Sequence, residues 1–168
     1  SDEKIYDILK NTIEEARVEK ISDGYSGADA SFVQTIQAEN APVVRLCNLI
    51  ITDAVKSRAS DIHIEAQEQS VKVRYRIDGD LKNIMDIPVN LHAAVVARIK
   101  ILSELDIAEN KKPQDGRSKI LVNGRKIDLR VSTIPTFYGE KVEMRLLDSK
   151  EAMVDLNKIG FEKVELDI

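Results

Sequence analysis

Apolar and polar positions change their spacing several times along this chain, and each change marks an element. From Asp2 to Lys20 the apolar residues Ile5, Ile8, Leu9, Ile13 and Ala16 fall on one stripe at helical spacing, opposite a dense charged face. The pattern predicts an amphipathic helix. Residues 21–40 break it with Ser22-Asp23-Gly24 and Ser26-Gly27-Ala28-Asp29, which read as a flexible connection. Asn40 is placed to cap a second helix with Pro42 in its first turn, and Val43, Leu46, Cys47, Leu49, Ile50, Ala54 and Val55 give it a broad apolar face. Ser60-Asp61 is expected to end it.

Period-two spacing takes over from there. Ile62 and Ile64 alternate with Asp61, His63 and Glu65, and Val71, Val73, Tyr75 and Ile77 alternate with Lys72, Arg74 and Arg76. Asp78-Gly79 reads as a hairpin turn leading into a returning strand over 81–87. Leu91 to Leu105 is helical again, with Leu91, Val95, Ile99 and Leu102 on one stripe and Arg98 and Lys100 off it. A polar connection over 106–112 precedes the stretch 113–147. There Asp115-Gly116-Arg117 reads as a turn, 118–122 as a strand, Asn123-Gly124 as a hairpin turn, and 126–132 as a strand with Ile127, Leu129 and Val131 facing the core. The chain returns after 135–139 through Val142, Met144 and Leu146. Beyond Leu147 the pattern fades, apart from a short helical turn around 156–159. Helices alternating with hairpin-connected strands predict an α+β fold, an antiparallel sheet packed against helices.

A β-hairpin centred near Phe137 has a chemical consequence. Its most symmetric register sets Arg130 against Arg145 on the polar face, beside Asp128, Ser132 and Glu143. Like charges directly across a sheet repel, so the pair needs either neighbouring carboxylates, such as Asp128 and Glu143, or an external anion.

Composition narrows the remaining choices. Charged residues make up 32% and hydrophobic ones 43%, ordinary for a globular chain with a real core. A net charge of -4 argues against nucleic-acid binding through a broadly basic surface, so any anion site must be local. One cysteine and two histidines exclude an internal disulfide and the usual zinc clusters, and the apolar neighbours of Cys47 predict a buried thiol. No signal-peptide pattern and no apolar run of membrane-spanning length is present, which makes the cytoplasm the expected compartment. The sequence contains no GxxxxGK[ST], GxSxG, HExxH or GxGxxG. His63 and His92 read as structural, the Lys72, Arg74, Arg76 stripe as a solvated face, and Arg117 as a further candidate for the anion-facing side.

Several segments together carry a resemblance: Arg58-Ala59-Ser60-Asp61-Ile62-His63-Ile64-Glu65, Arg74-Tyr75-Arg76-Ile77-Asp78-Gly79, Leu105-Asp106-Ile107-Ala108-Glu109, Pro113-Gln114-Asp115-Gly116-Arg117, Asp128-Leu129-Arg130-Val131-Ser132-Thr133, Gly139-Glu140-Lys141 and Met144-Arg145-Leu146-Leu147. From Ala41 to about Gly160 the chain resembles the traffic ATPases of type II secretion and type IV pilus assembly, in the GspE/PilB branch. It is similar to the second N-terminal domain that precedes their ATPase core. The resemblance implies a PAS-like sheet over 40–148 and a linker over 149–168 towards a C-terminal ATPase domain, with the helix and linker read from the apolar pattern over 1–39 ahead of it.

It also implies a role. Arg130 and Arg145 match the family's two arginine-finger positions, and Arg117 would contribute to nucleotide binding. ATP and Mg²⁺ are expected in the full-length protein, with no cofactor for this stretch alone, which would not hydrolyse ATP because the P-loop lies in the C-terminal domain. The implied partners are that domain, neighbouring subunits of a hexamer and inner-membrane assembly proteins, at the inner face of the cytoplasmic membrane. No nucleic acid is implied. The competing reading is a stand-alone PAS-like sensor or protein-interaction module, although the aromatic content of 4% disfavours a pocket for a planar cofactor.

Overall fold

The computed structural model describes residues 18–20 and 42–149. Its elements are β1 (Val18–Lys20), α1 (Pro42–Lys56), β2 (Asp61–Ala66), β3 (Val71–Ile77), β4 (Asp80–Ile87), α2 (His92–Leu102), β5 (Gln114–Val122), β6 (Arg125–Thr136) and β7 (Gly139–Asp148). The strands form one seven-stranded sheet in the order β1-β5-β6-β7-β2-β3-β4. All neighbouring pairs are antiparallel. The expected α+β architecture is therefore present, with β2 and β7 side by side in the middle of the sheet.

Local sequence explains the hairpins. Asp78 and Gly79 have φ of 52° and 83°, and Asn123 and Gly124 have 48° and 80°. Positive φ at both central residues is the geometry whose twist matches that of paired strands, and Asp-Gly and Asn-Gly are the dipeptides that adopt it at least cost. The β6–β7 turn at Phe137-Tyr138 closes in the symmetric register, from Thr136 opposite Gly139 to Arg130 opposite Arg145.

The apolar face of the sheet and the two helices share one core. Ile62, Ile64, Val71, Val73, Leu129, Val131, Val142 and Met144 are buried from the sheet, with Leu46, Ile50, Ile51 and Ala54 from α1 and Val95, Val96, Ile99 and Leu102 from α2. Burying each of the larger side chains is worth about 1.5–3 kcal/mol. Tyr75 reaches through this core to donate its hydroxyl to the Ile50 carbonyl at 2.8 Å, so its polar end is satisfied inside an apolar layer. Burial pushes that phenol's pKa up, with Asp53 adding to the shift.

Four expectations need correction. Val18–Lys20, the end of the predicted N-terminal helix, is a strand paired with Val122, Leu121 and Ile120 of β5. Its β-branched Val18 is buried in the core, and the β5 edge supplies the backbone partners that an isolated helix end lacks. The rest of that helix, the connection to Asn40 and the expected turn at 156–159 lie outside the described residues. Next, α1 ends at Lys56, before Ser60-Asp61. Asp115-Gly116-Arg117 belongs to β5 and not to a turn, paired with Ser132, Val131 and Arg130 of β6. Glycine is needed at 116 because a Cβ there would lie 2.6 Å from the Ser103 carbonyl oxygen and 2.7 Å from Leu105 Cδ2.

The last correction concerns α2, which begins at His92 after a short 3-10 turn over Val89–Leu91 and ends at Leu102. Arg98 and Lys100, expected off the buried stripe, are both buried. Lys100 Nζ lies 2.8 Å from Glu140 Oε1, at the start of β7, and donates to the Glu109 carbonyl at 2.6 Å. A lysine enters the interior only where a carboxylate and a carbonyl meet its ammonium.

Cys47 is buried as predicted, and burial pushes its thiol up to about 12. A thiol so rarely ionised is a poor nucleophile near neutrality. Native protein at pH 8 is accordingly expected to leave Cys47 unlabelled by a maleimide over a period in which urea-unfolded protein reacts fully. Equal labelling of both would contradict the burial.

Candidate functional site

On the face of the sheet away from the helices, the strand registers line up one continuous row. Arg117 of β5 stands opposite Arg130 of β6, which stands opposite Arg145 of β7. Arg145 stands opposite Asp61 of β2, and Asp61 opposite Arg76 of β3. The alternation of apolar residues into the core puts all five on the polar side, so the row is a direct product of the hydrophobic pattern.

Partners divide the row into two parts. Asp61 is buried, with 6% of its side chain exposed, while Arg145 is 58% exposed. Arg145 donates Nε–H to Asp61 Oδ1 at 3.0 Å, and Ser60 donates its hydroxyl to Asp61 Oδ2 at 2.8 Å. Arg76 Nε lies 3.7 Å from Oδ2, close enough for an ion pair. The rest of the predicted basic stripe is compensated as well, with Lys72 bound to Asp86 at 2.7 Å and Arg74 to Glu65 at 2.8 Å. Among the described residues, Arg117 and Arg130 have no ion pair. Asp128 and Glu143, the expected resting partners of the arginine pair, have none either. The carboxylate that meets Arg145 is Asp61, which comes from the far side of the domain in sequence.

Arg117, Arg130 and Arg145 line a groove of about 630 Å³ together with Asp115, Gly116, Val131, Ser132 and Glu143. Three guanidiniums stand with two carboxylates in its lining, and two of the three, Arg117 and Arg130, have no ion pair among the described residues. Their planar N–H forks suit the oxygens of a phosphate. The same residues do not suit a divalent cation, and among the described residues no three His, Cys, Asp or Glu side chains come together in a metal-binding group.

The histidines are not part of this groove's lining. His92 Nε2 meets the Glu140 carbonyl at 2.8 Å and its ring packs at Gly139, where a Cβ would fall 2.7 Å from Cε1. That contact fixes the β6–β7 turn to α2. His63 sits between Glu143 and Arg74 in the register, and its buried Nε2 has no hydrogen-bond partner among the described residues. Burial pulls its pKa below the usual histidine value, outweighing the pull of Glu143 and Asp61 in the other direction, while Lys141 and Arg76 lower it further. A histidine depressed in the folded state binds its proton more readily once unfolded, so stability falls as pH drops through the unfolded value of about 6.5. Urea midpoints measured from about pH 7 down to pH 5 are expected to decline, and less steeply in His63→Gln. Parallel curves would exclude His63 as the source.

A model of the family described as type II/IV secretion system protein matches residues 36–168. The chain belongs to this secretion family. It is 52% identical over 126 residues to the type IV pilus assembly ATPase PilB of Myxococcus xanthus, covering 74% of this chain and 22% of that protein. It is 52% identical over 138 residues to the type II secretion system protein E of Xanthomonas campestris pv. campestris, covering 79% of this chain and 24% of that protein. Against the type II secretion system protein HxcR of Pseudomonas aeruginosa, identity is 51% over 122 residues, 73% of this chain and 26% of that protein. The chain thus spans about a quarter of the length of the secretion-family relatives it matches. Among the described residues of this family member, no helix is long and apolar enough to cross a membrane.

Sequence reasoning placed Arg130 and Arg145 opposite each other and kept Arg117 as a candidate. It missed Asp61 and Ser60 as partners of Arg145. The Ser60-Asp61 pair was visible inside a segment that resembled the family, but nothing local to it pointed to β7.

Proposed function

We propose that this chain is a domain of a motor that powers type II secretion or type IV pilus assembly, and that its arginine row closes over the phosphates of ATP held elsewhere in the parent protein. The observation that carries the reading is the row itself. Three adjacent strands each present an arginine to one groove, and two of these have no carboxylate partner among the described residues. Repulsion across a sheet is a standing cost that an anion would remove.

ATP supplies the transferable phosphoryl group and brings Mg²⁺ with its phosphates. Arg130 and Arg145 would each present a planar fork to equatorial oxygens, where charge is spread in the transition state. Arg117 would hold the phosphates from the outer strand. Among its own residues the chain has no P-loop sequence, so hydrolysis by it alone is not part of this reading. In the parent, the domain would work against its own ATPase domain and neighbouring subunits of a hexamer, at the inner face of the cytoplasmic membrane, with inner-membrane assembly proteins receiving the motion. The deciding experiment is ATP turnover by a full-length parent carrying Arg130→Ala or Arg145→Ala. Rates near wild type in both would overturn the proposal.

A further inference from the structure

We infer that Asp61 is the positioning residue for Arg145: it fixes the Nε edge of the guanidinium and leaves the terminal nitrogens to face the groove. The inference rests on the proposed phosphate-facing role of the row. Its geometric basis is independent of that role, and lies in a carboxylate held from both sides.

Asp61 lies on β2, beside the central strand β7, and its side chain is almost wholly covered. A buried carboxylate is costly unless its oxygens are occupied, and here each has a donor. Ser60 donates to Oδ2 at 2.8 Å, which fixes the plane of the carboxylate. Arg145 then donates Nε–H to Oδ1 at 3.0 Å. On the opposite side Arg76, the nearer rival for the same carboxylate, stays at 3.7 Å and spends NH1 on the Gly79 carbonyl at 2.9 Å. Asp61 is therefore committed to Arg145 by hydrogen bond and to Arg76 by charge alone.

The consequence is an asymmetry between two arginines that face each other in the register. Arg145 has one edge anchored, whereas Arg130 has no such contact among the described residues. A guanidinium anchored through Nε loses rotamer freedom before any phosphate arrives, and the carboxylate offsets its repulsion from Arg130. This makes Arg145 the preorganised member of the pair and Arg130 the one that orders on closure. Ser60 acts one step further out by orienting Asp61.

The first test uses the 168-residue chain. Arginine side-chain NMR is expected to show a slowed exchange of the Arg145 Nε–H proton with water relative to that of Arg130, which serves as an internal reference. Equal exchange at the two sites overturns the inference whatever the fate of any variant. The second test uses ATP turnover by the full-length parent. Asp61→Ala is expected to lower kcat by roughly 10- to 100-fold with a smaller change in KM, because the misaimed fork is felt mainly in the transition state. Asp61→Asn, which keeps shape and an acceptor oxygen, is expected to recover part of the loss. Combining Asp61→Ala with Arg145→Ala should be no slower than Arg145→Ala alone, as for two residues acting through one contact. Normal turnover by Asp61→Ala with impaired Arg145→Ala would sink the positioning role while leaving the phosphate-facing row intact. Normal turnover by Arg145→Ala alone would overturn the positioning role as well, and normal turnover by Arg130→Ala besides would remove the row's function itself.

Discussion

Alanine at Arg130 is expected to slow ATP turnover by a full-length parent by roughly 10³-fold or more, the range associated with arginine fingers that meet a transferring phosphoryl group. The size follows from where the charge is needed. A guanidinium that meets the phosphate only on closure contributes little to ground-state binding, so kcat and kcat/KM should fall together while KM moves less. Lysine at 130 or 145 should rescue poorly, because one ammonium replaces a planar fork able to bind two oxygens at once. Arg117, at the outer strand, should matter less to rate than to nucleotide affinity. Steady-state kinetics of the alanine and lysine variants, with circular dichroism to confirm folding, distinguishes this from a merely solvated basic face. On a solvated face none of the three substitutions would change turnover.

The largest effect on stability is expected at Lys100. Its ammonium lies against Glu140 in the interior, where both side chains are almost fully covered. Lys100→Met keeps much of the volume but leaves Glu140 without its cation, while the Glu109 carbonyl keeps only its bond from Gln114 Nε2, at a cost of about 3–5 kcal/mol. Such a loss is a large part of the stability of a small domain. Urea unfolding should show a lower midpoint with an unchanged slope. Replacing both partners, as in Lys100→Met with Glu140→Leu, should recover most of the loss, since the penalty comes from the orphaned charge. If Lys100→Met alone left the midpoint where it is, the pair would be no more than a surface bridge.

How much of this was legible in the sequence depends on how far apart the contacting residues are. The Arg130–Arg145 pairing could be read because closure around Phe137 and a period of two fix every position along a hairpin. The connection read over 135–139 is only Phe137-Tyr138, with Pro135 and Thr136 paired to Glu140 and Gly139. The Asp78-Gly79 and Asn123-Gly124 turns could be read because the backbone they require restricts residue choice. Lys100 could not be placed, since helical spacing says where a side chain points and not whether a carboxylate waits there. Val18–Lys20 took its conformation from the edge of β5, a partner far along the chain. Asp115-Gly116-Arg117 carries turn residues, yet β6 pairs with it throughout, and Gly116 answers to the nearby Ser103 carbonyl. Asp61 was seen as a polar residue of a short strand, and its role depends on β7 lying beside it.

That last contact joins residues 84 positions apart, and it sets an order of events during folding. The β3–β4, β5–β6 and β6–β7 hairpins close over short loops, whereas the β2–β7 ladder must wait for almost the whole described chain to be synthesised and gathered. Until then the arginines already share a hairpin but lack the carboxylate that aims one of them. A nascent or partly unfolded chain would thus carry the right side chains in the right register without a competent site. The long-range closure of the sheet makes the Arg145–Asp61 contact a reporter of complete folding, so that on the proposed reading only a finished domain would present an aimed guanidinium to a phosphate.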